Sequence, residues 1–182
     1  MSESHIRVLS RALSDQISAG EVLERASSAI KELVENSLDA GADEIFIDVE
    51  EAGRKRLSVT DNGIGMNMED AQLSVLRHAT SKISKTEDLR AITTMGFRGE
   101  ALAAISSVSK IDLLTRAQGA ENGVRLHLEA GQVLSEEPAG CPCGTTILVR
   151  ELFYNTPARM KFMKSDAAES SAVFAAIQQQ AL

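Results

Sequence analysis

Residues 31–61 read KELVENSLDAGADEIFIDVEEAGRKRLSVTD, and the period of their apolar positions changes once. At about 100° per residue, Ala26, Ala29, Ile30, Leu33 and Ser37 share one face of a helix counted from Val22. Lys31, Glu35 and Glu24 lie opposite and are expected to face water. Glu32 and Asn36 fall on the shoulder, one turn apart, where side chains emerge beside a core. Gly41 ends the helix as a C′ glycine does. The period then becomes two: Ile45, Ile47 and Val49 alternate, AGRK turns, and Leu57 and Val59 alternate again. Asp61 keeps their parity, so an acid points toward the covered face at a strand end. A helix followed by a half-buried hairpin predicts an α+β fold, with helices on one face of a mixed, mainly antiparallel sheet.

Working outward, Ser18 to Glu21 reads as a capping box opening the first helix. Asn67 is placed to cap a helix over 68–78, and Thr86 to start a short one to Ile92. A loop framed by Gly96 and Gly99 feeds a helix through about Ser106. Strands are expected near 110–116, 123–129, 132–135 and 145–150, and a helix from Asp166 through Leu182. The chain divides into an N-terminal arm (1–17), a core (18–165) and a last helix (166–182) whose continuation to the final residue suggests a truncated fragment. Ile6, Val8, Leu9, Leu13 and Ile17 have no place in a helix–sheet core, so the arm is expected to pack loosely.

The 182 residues are 43% hydrophobic, enough for one domain with a core, and that core must be mainly aliphatic because there is no Trp and only one Tyr. Nothing resembles a membrane span or a signal peptide, which makes a soluble intracellular protein the expectation. The net charge of −7 argues against strong duplex-DNA binding by this region alone. Cys141 and Cys143, spaced C-P-C, read as ordinary loop or strand residues, since two thiols make half a zinc site.

Four stretches carry chemistry. DNGIG (61–65) sets an acid before two glycines, suited to a planar ligand lying against backbone, with the acid accepting from an exocyclic amine; Asp-Asn-Gly is equally a common turn. GFRGEALAAI (96–105) is a glycine loop at a helix N-terminus, suited to phosphate and equally a plain cap; no Gly-Lys pair makes it a Walker loop. HATSK (78–82) offers two hydroxyls and an ammonium, to a phosphate or to a helix C-terminus. Glu32 and Asn36, four apart, can set a general base and an oxygen ligand for Mg²⁺ on one helix face.

AGEVLER (19–25), KELVENSLDAGA (31–42), DNGIGM (61–66), RHATSKI (77–83), GFRGEAL (96–102), GTTILV (144–149) and LFYNTPAR (152–159), in this order, resemble the MutL family of DNA mismatch repair ATPases. Its nucleotide-binding fold is similar to that of type II topoisomerases, heat-shock chaperone ATPases and sensor histidine kinases, a Bergerat-type ATP-binding fold. The resemblance implies ATP and Mg²⁺ as ligands, with Glu32 as general base and Asn36 as the Mg²⁺ ligand. It implies that Asp61 accepts from the adenine amine, with Gly63 and Gly65 shaping the pocket and Thr145 near the base. Thr80, Ser81 and Lys82 would lie along the phosphates or the lid. Gly96, Arg98, Gly99, Glu100, Ala101 and Leu102 would form the lid over the triphosphate. The role of Asn155 to Arg159 stays open.

The implied partners are a second copy or a family heterodimer on ATP binding, a MutS-type mismatch-recognition protein, a downstream nuclease or helicase, and DNA through the full-length protein; no membrane is implied. The implied location is the bacterial cytoplasm, or the nucleus of a eukaryote. Where the family has proline after the Glu-Arg pair, this chain has Ala26, which permits one continuous helix. The family's second subdomain, which brings a lysine to the γ-phosphate, lies outside these residues. A nucleotide-responsive interaction module with little turnover is therefore the alternative.

Overall fold

The computed structural model describes residues 8–77 and 100–181. The expected helix at Thr86–Ile92 and the loop Gly96–Gly99 lie outside the described residues.

Helix α1 (Arg11–Val22) is opened by Ser10, whose side chain accepts from the Leu13 N–H. The chain becomes extended at Leu23 and Arg25, and α2 (Ala26–Asp39) begins. One expectation is corrected here: Ser18 to Glu21 lies inside α1 rather than opening a helix. The continuous helix that Ala26 permits does not form. Leu23 is fully buried, and tertiary anchoring of the break overrides the helical propensity of its residues. α2 buries Ala26, Ala29, Ile30, Leu33 and Ser37, the face the period predicts. It ends in a paired turn in which Ala42 N–H reaches the Ser37 carbonyl and Gly41 N–H the Leu38 carbonyl. Gly41 sits at φ 73°, the left-handed geometry that favours glycine.

Strands β1 (Ile45–Glu50) and β2 (Arg56–Asp61) form the expected hairpin, Ile47 opposite Val59. Asn67 caps α3 (Met68–Ser74) by accepting from Asp70 N–H. α3 stops before residue 78, because Leu76 N–H turns back to the Leu73 carbonyl. Then come α4 (Ala101–Ser107), β3 (Lys110–Arg116), β4 (Gly123–Glu129), β5 (Gln132–Ala139) and β6 (Gly144–Arg150). The sequence period did not reveal α5 (Pro157–Phe162), and α6 (Asp166–Gln180) ends short of the last residue.

The sheet runs β1-β2-β6-β3-β4-β5. Its pairings are all antiparallel, so the mainly antiparallel sheet expected has no parallel pair among the described residues. Leu57, Val59, Ile111, Leu113, Leu126, Leu128 and Val149 line the covered face, and the helices close over it. The other face is polar: Arg56 pairs with Asp48 and Glu50, and Arg150 and His127 both engage Asp112.

Glu35 is a further correction. It lies on the α2 face expected to meet water, yet it is buried. α6 packs there, with Gln180 Nε2 donating to Glu35 Oε1 at 3.1 Å and Lys31 3.6 Å away. Lys31 and Glu24 are exposed as expected. Of the arm residues, Val8, Leu9, Leu13 and Ile17 are exposed, the last two on the helix α1; Ile6 lies outside the described residues.

Candidate functional site

Three strand ends lie side by side, and that of β2 meets the last turns of α2. Asp61 closes β2, opposite Thr145 of β6, which in turn lies opposite Thr115 of β3. This row continues the parity of the covered face, so its polar groups point at the helix layer. Asp61 is 9% exposed, and buried charge demands partners. It has three. Oδ1 accepts from Gly63 N–H at 2.9 Å and Thr145 N–H at 3.2 Å, and Oδ2 lies 2.8 Å from the Ser37 hydroxyl. A carboxylate has about four lone-pair sites, so Oδ2 keeps capacity for one more donor.

Asn62 Oδ1 accepts from the Asp43 and Glu44 N–H groups, and Ile64 N–H donates to the Ala40 carbonyl, which ties the loop after Asp61 to the end of α2. A Cβ on Gly63 would stand 2.8 Å from both the Ala40 Cβ and its oxygen. Gly65, at φ 65°, lies against the Arg116 carbonyl, where a side chain would overlap backbone. Met66 N–H donates to the Thr115 hydroxyl at 3.0 Å, and the Thr115 and Thr145 hydroxyls stand 2.9 Å apart. The Cys143 thiol lies 3.6 Å from the Gly63 carbonyl; both cysteines are free.

Glu32 and Asn36 are half-buried on α2, on the shoulder that the period predicts. Four residues of helix carry them about 6 Å along the axis on one face. Glu100 is the residue before α4, Ala101 opens that helix half-buried, and Leu102 is buried in the core. Thr80, Ser81, Lys82, Gly96, Arg98 and Gly99 lie outside the described residues. Among the described residues no cluster of three or more His, Cys, Asp or Glu could hold a metal. A magnesium ion bound through one amide oxygen, phosphate and waters needs no such cluster.

Sequence reasoning missed Ser37 and Thr115 as site residues. Both carried a signal: each is a hydroxyl on a face otherwise apolar, one on α2 and one at the parity of Ile111 and Leu113.

The profile of the family described as histidine kinase-, DNA gyrase B- and HSP90-like ATPase matches residues 24–139. The chain belongs to this ATPase family. Among curated proteins it is 52% identical over 177 residues to the DNA mismatch repair protein MutL of Acidobacterium capsulatum, covering 97% of this chain and 27% of the relative. It is 52% identical over 166 residues to MutL of Symbiobacterium thermophilum, covering 91% and 26%. The chain thus spans about a quarter of the length of these relatives. Among solved structures, the Aquifex aeolicus MutL ATPase domain complexed with ADP superposes with a TM-score of 0.72 at 34% identity, covering 88% of this chain and 56% of that one. The N-terminal domain of a DNA repair protein gives 0.74 at 30% identity, covering 90% and 47%. No described helix is long and apolar enough to cross a membrane.

Proposed function

We propose that this chain is the ATP-binding and ATP-hydrolysing region of a MutL-type DNA mismatch repair protein, with the strand-end acid at the base-binding end of the site. The observation that carries the reading is Asp61: a buried carboxylate at a strand end, fixed by three donors, with one acceptor site left over. The adenine amine is the donor that fits. Glu32, on the shoulder of α2, takes a proton from the water that attacks the γ-phosphorus as the bond to the bridging oxygen breaks and ADP departs. Asn36 is one turn farther along, its amide oxygen suited to Mg²⁺. That ion supplies charge neutralisation at the phosphates when bound.

Thr80, Ser81 and Lys82, with the lid from Gly96 to Leu102, complete the phosphate end in this reading. Lid closure over ATP then favours pairing of two copies, or of this chain with a family partner, through the arm. In this reading, coupling to a MutS-type protein, to a downstream nuclease or helicase and to DNA belongs to the full-length protein, working in the cytoplasm.

The test is Glu32→Ala in the full-length protein, with turnover and nucleotide binding measured side by side. Turnover is expected to vanish while binding persists. Retained hydrolysis refutes the role of Glu32. Binding of nucleotide by both proteins with turnover by neither supports the interaction module instead.

A further inference from the structure

The segment Asn155 to Arg159, whose role the sequence leaves open, reaches the C-terminal ends of two helices, α1 and α4. Arg159 extends its guanidinium to the C-terminal end of α1, with Nη2 donating to the Gly20 carbonyl at 2.8 Å and Nη1 donating to the Leu23 carbonyl. Leu23 is the first extended residue of the break, and three residues later α2 begins. On the far side of that break Arg25 is held by α6, its Nε and Nη2 donating to the two carboxylate oxygens of Glu169 at 3.1 and 2.9 Å. The same loop sends Asn155 Nδ2 to the carbonyl of Ser107, the last residue of α4, at 2.9 Å.

A helix C-terminus leaves carbonyls without partners and carries partial negative charge. A planar guanidinium answers both needs, because it donates to two oxygens in one fixed geometry. Gly20 makes room for it: a Cβ there would overlap Arg159 Nη2. A residue 136 positions away in sequence thus holds the carbonyl at the break from which α2 starts.

We infer that Arg159 is a positioning residue for ATP hydrolysis: by clamping the Gly20 and Leu23 carbonyls it fixes the α1–α2 break and hence the placement of Glu32 and Asn36. The inference rests on the ATPase reading above. It requires that loss of the clamp impair the chemical step more than nucleotide binding, because Asp61 is held by Ser37, Gly63 and Thr145, none of which touches Arg159.

The test uses Arg159→Ala, Arg159→Lys and Gly20→Ala in the full-length protein. Gly20→Ala is the decisive variant. Alanine is the better helix former, so α1 is not weakened locally, yet its methyl displaces the guanidinium. Gly20→Ala and Arg159→Ala are expected to lower kcat by on the order of 10- to 100-fold, the scale of a small misplacement of reacting groups, with ATP affinity unchanged. Arg159→Lys is expected to recover part of the rate, because an ammonium reaches one carbonyl and not both. In parallel, amide hydrogen exchange over residues 24–36 should quicken in Gly20→Ala. Wild-type kcat and wild-type exchange in a stable Gly20→Ala protein overturn the inference, as does a loss of affinity matching the loss of kcat. If the unmodified protein does not hydrolyse ATP, the ATPase reading fails on its own, and exchange still decides whether the clamp sets α2.

Discussion

The Ser37 hydroxyl stands 2.8 Å from Asp61 Oδ2 and 3.2 Å from the Leu33 carbonyl, with one proton to share between them. The charged and nearer acceptor holds it. A residue that the helical period assigns to the core face of α2 thus fixes the carboxylate of β2, and joins the helix that carries Glu32 to the strand that ends in the proposed base-binding acid. Ser37→Ala removes this donor from a buried carboxylate and is expected to cost roughly 1–3 kcal/mol of stability, read by urea unfolding. ATP binding is expected to weaken roughly three- to tenfold, about 1 kcal/mol, read by calorimetry. Unchanged stability and affinity would show that the Gly63 and Thr145 amides alone hold Asp61.

Base selectivity follows from which donors Asp61 already has. In the proposed site, its remaining acceptor would meet an amine in adenine and a carbonyl oxygen in guanine. Two acceptors facing each other leave a buried carboxylate without its partner, at about 1–3 kcal/mol. ATP is therefore expected to bind at least about fivefold more tightly than GTP. Asp61→Asn should erase the preference and lower stability, because an amide cannot accept from Gly63, Thr145 and Ser37 together without turning its own donors toward them. Equal affinities of the unmodified protein for ATP and GTP contradict this account.

Two glycines with positive φ separate strain from crowding. Gly41, at φ 73°, has nothing within 4 Å of the point where a Cβ would stand, so Gly41→Ala bears only the left-handed backbone cost, about 1 kcal/mol. Gly144, at φ 113°, lies against the Asp61 carbonyl, where a methyl would overlap backbone that cannot move without shifting the acid. Gly144→Ala is expected to cost roughly 2–5 kcal/mol, strain and overpacking together, and to weaken ATP binding as well. Thermal unfolding of both variants checks the ranking.

The parts of this site legible in the sequence are those set by local period. The α2 face, the β1–β2 hairpin and the inward parity of Asp61 all follow from spacing between near neighbours. What spacing could not show is whatever a distant segment decides. Glu35 lies opposite the core face, and it is buried because α6 arrives from 145 residues away. The α1–α2 break contradicts both the Ser18–Glu21 capping signal and the helical propensity of Ala26, because Arg159 and Glu169 hold Leu23 and Arg25 from across the fold. Ser37 and Thr115 were visible as hydroxyls on apolar faces, but only the packing of α2 on β2 brings Ser37 to Asp61, and only the register of β2, β6 and β3 sets Thr115 beside Thr145 in the same row.

Acid sensitivity is expected to run through Glu169. The Arg25 guanidinium, bonded to both its oxygens, holds this carboxyl below the ordinary glutamate value of 4.5; burial opposes that, and the Lys164 N–H adds to it. A carboxylate whose pKa is depressed on folding stabilises the fold above its unfolded value, and that contribution is lost as pH falls through the folded value. Glu169→Gln keeps the shape and removes the charge. Near neutral pH it is expected to be less stable than the unmodified protein by on the order of 2 kcal/mol, the scale of a charge-assisted hydrogen bond. Below pH 4.5 the gap should narrow, since the unmodified carboxyl is then being protonated too. Urea unfolding of both proteins at the two pH values measures the gap directly, and a gap that stays constant would assign the acid sensitivity to other carboxylates.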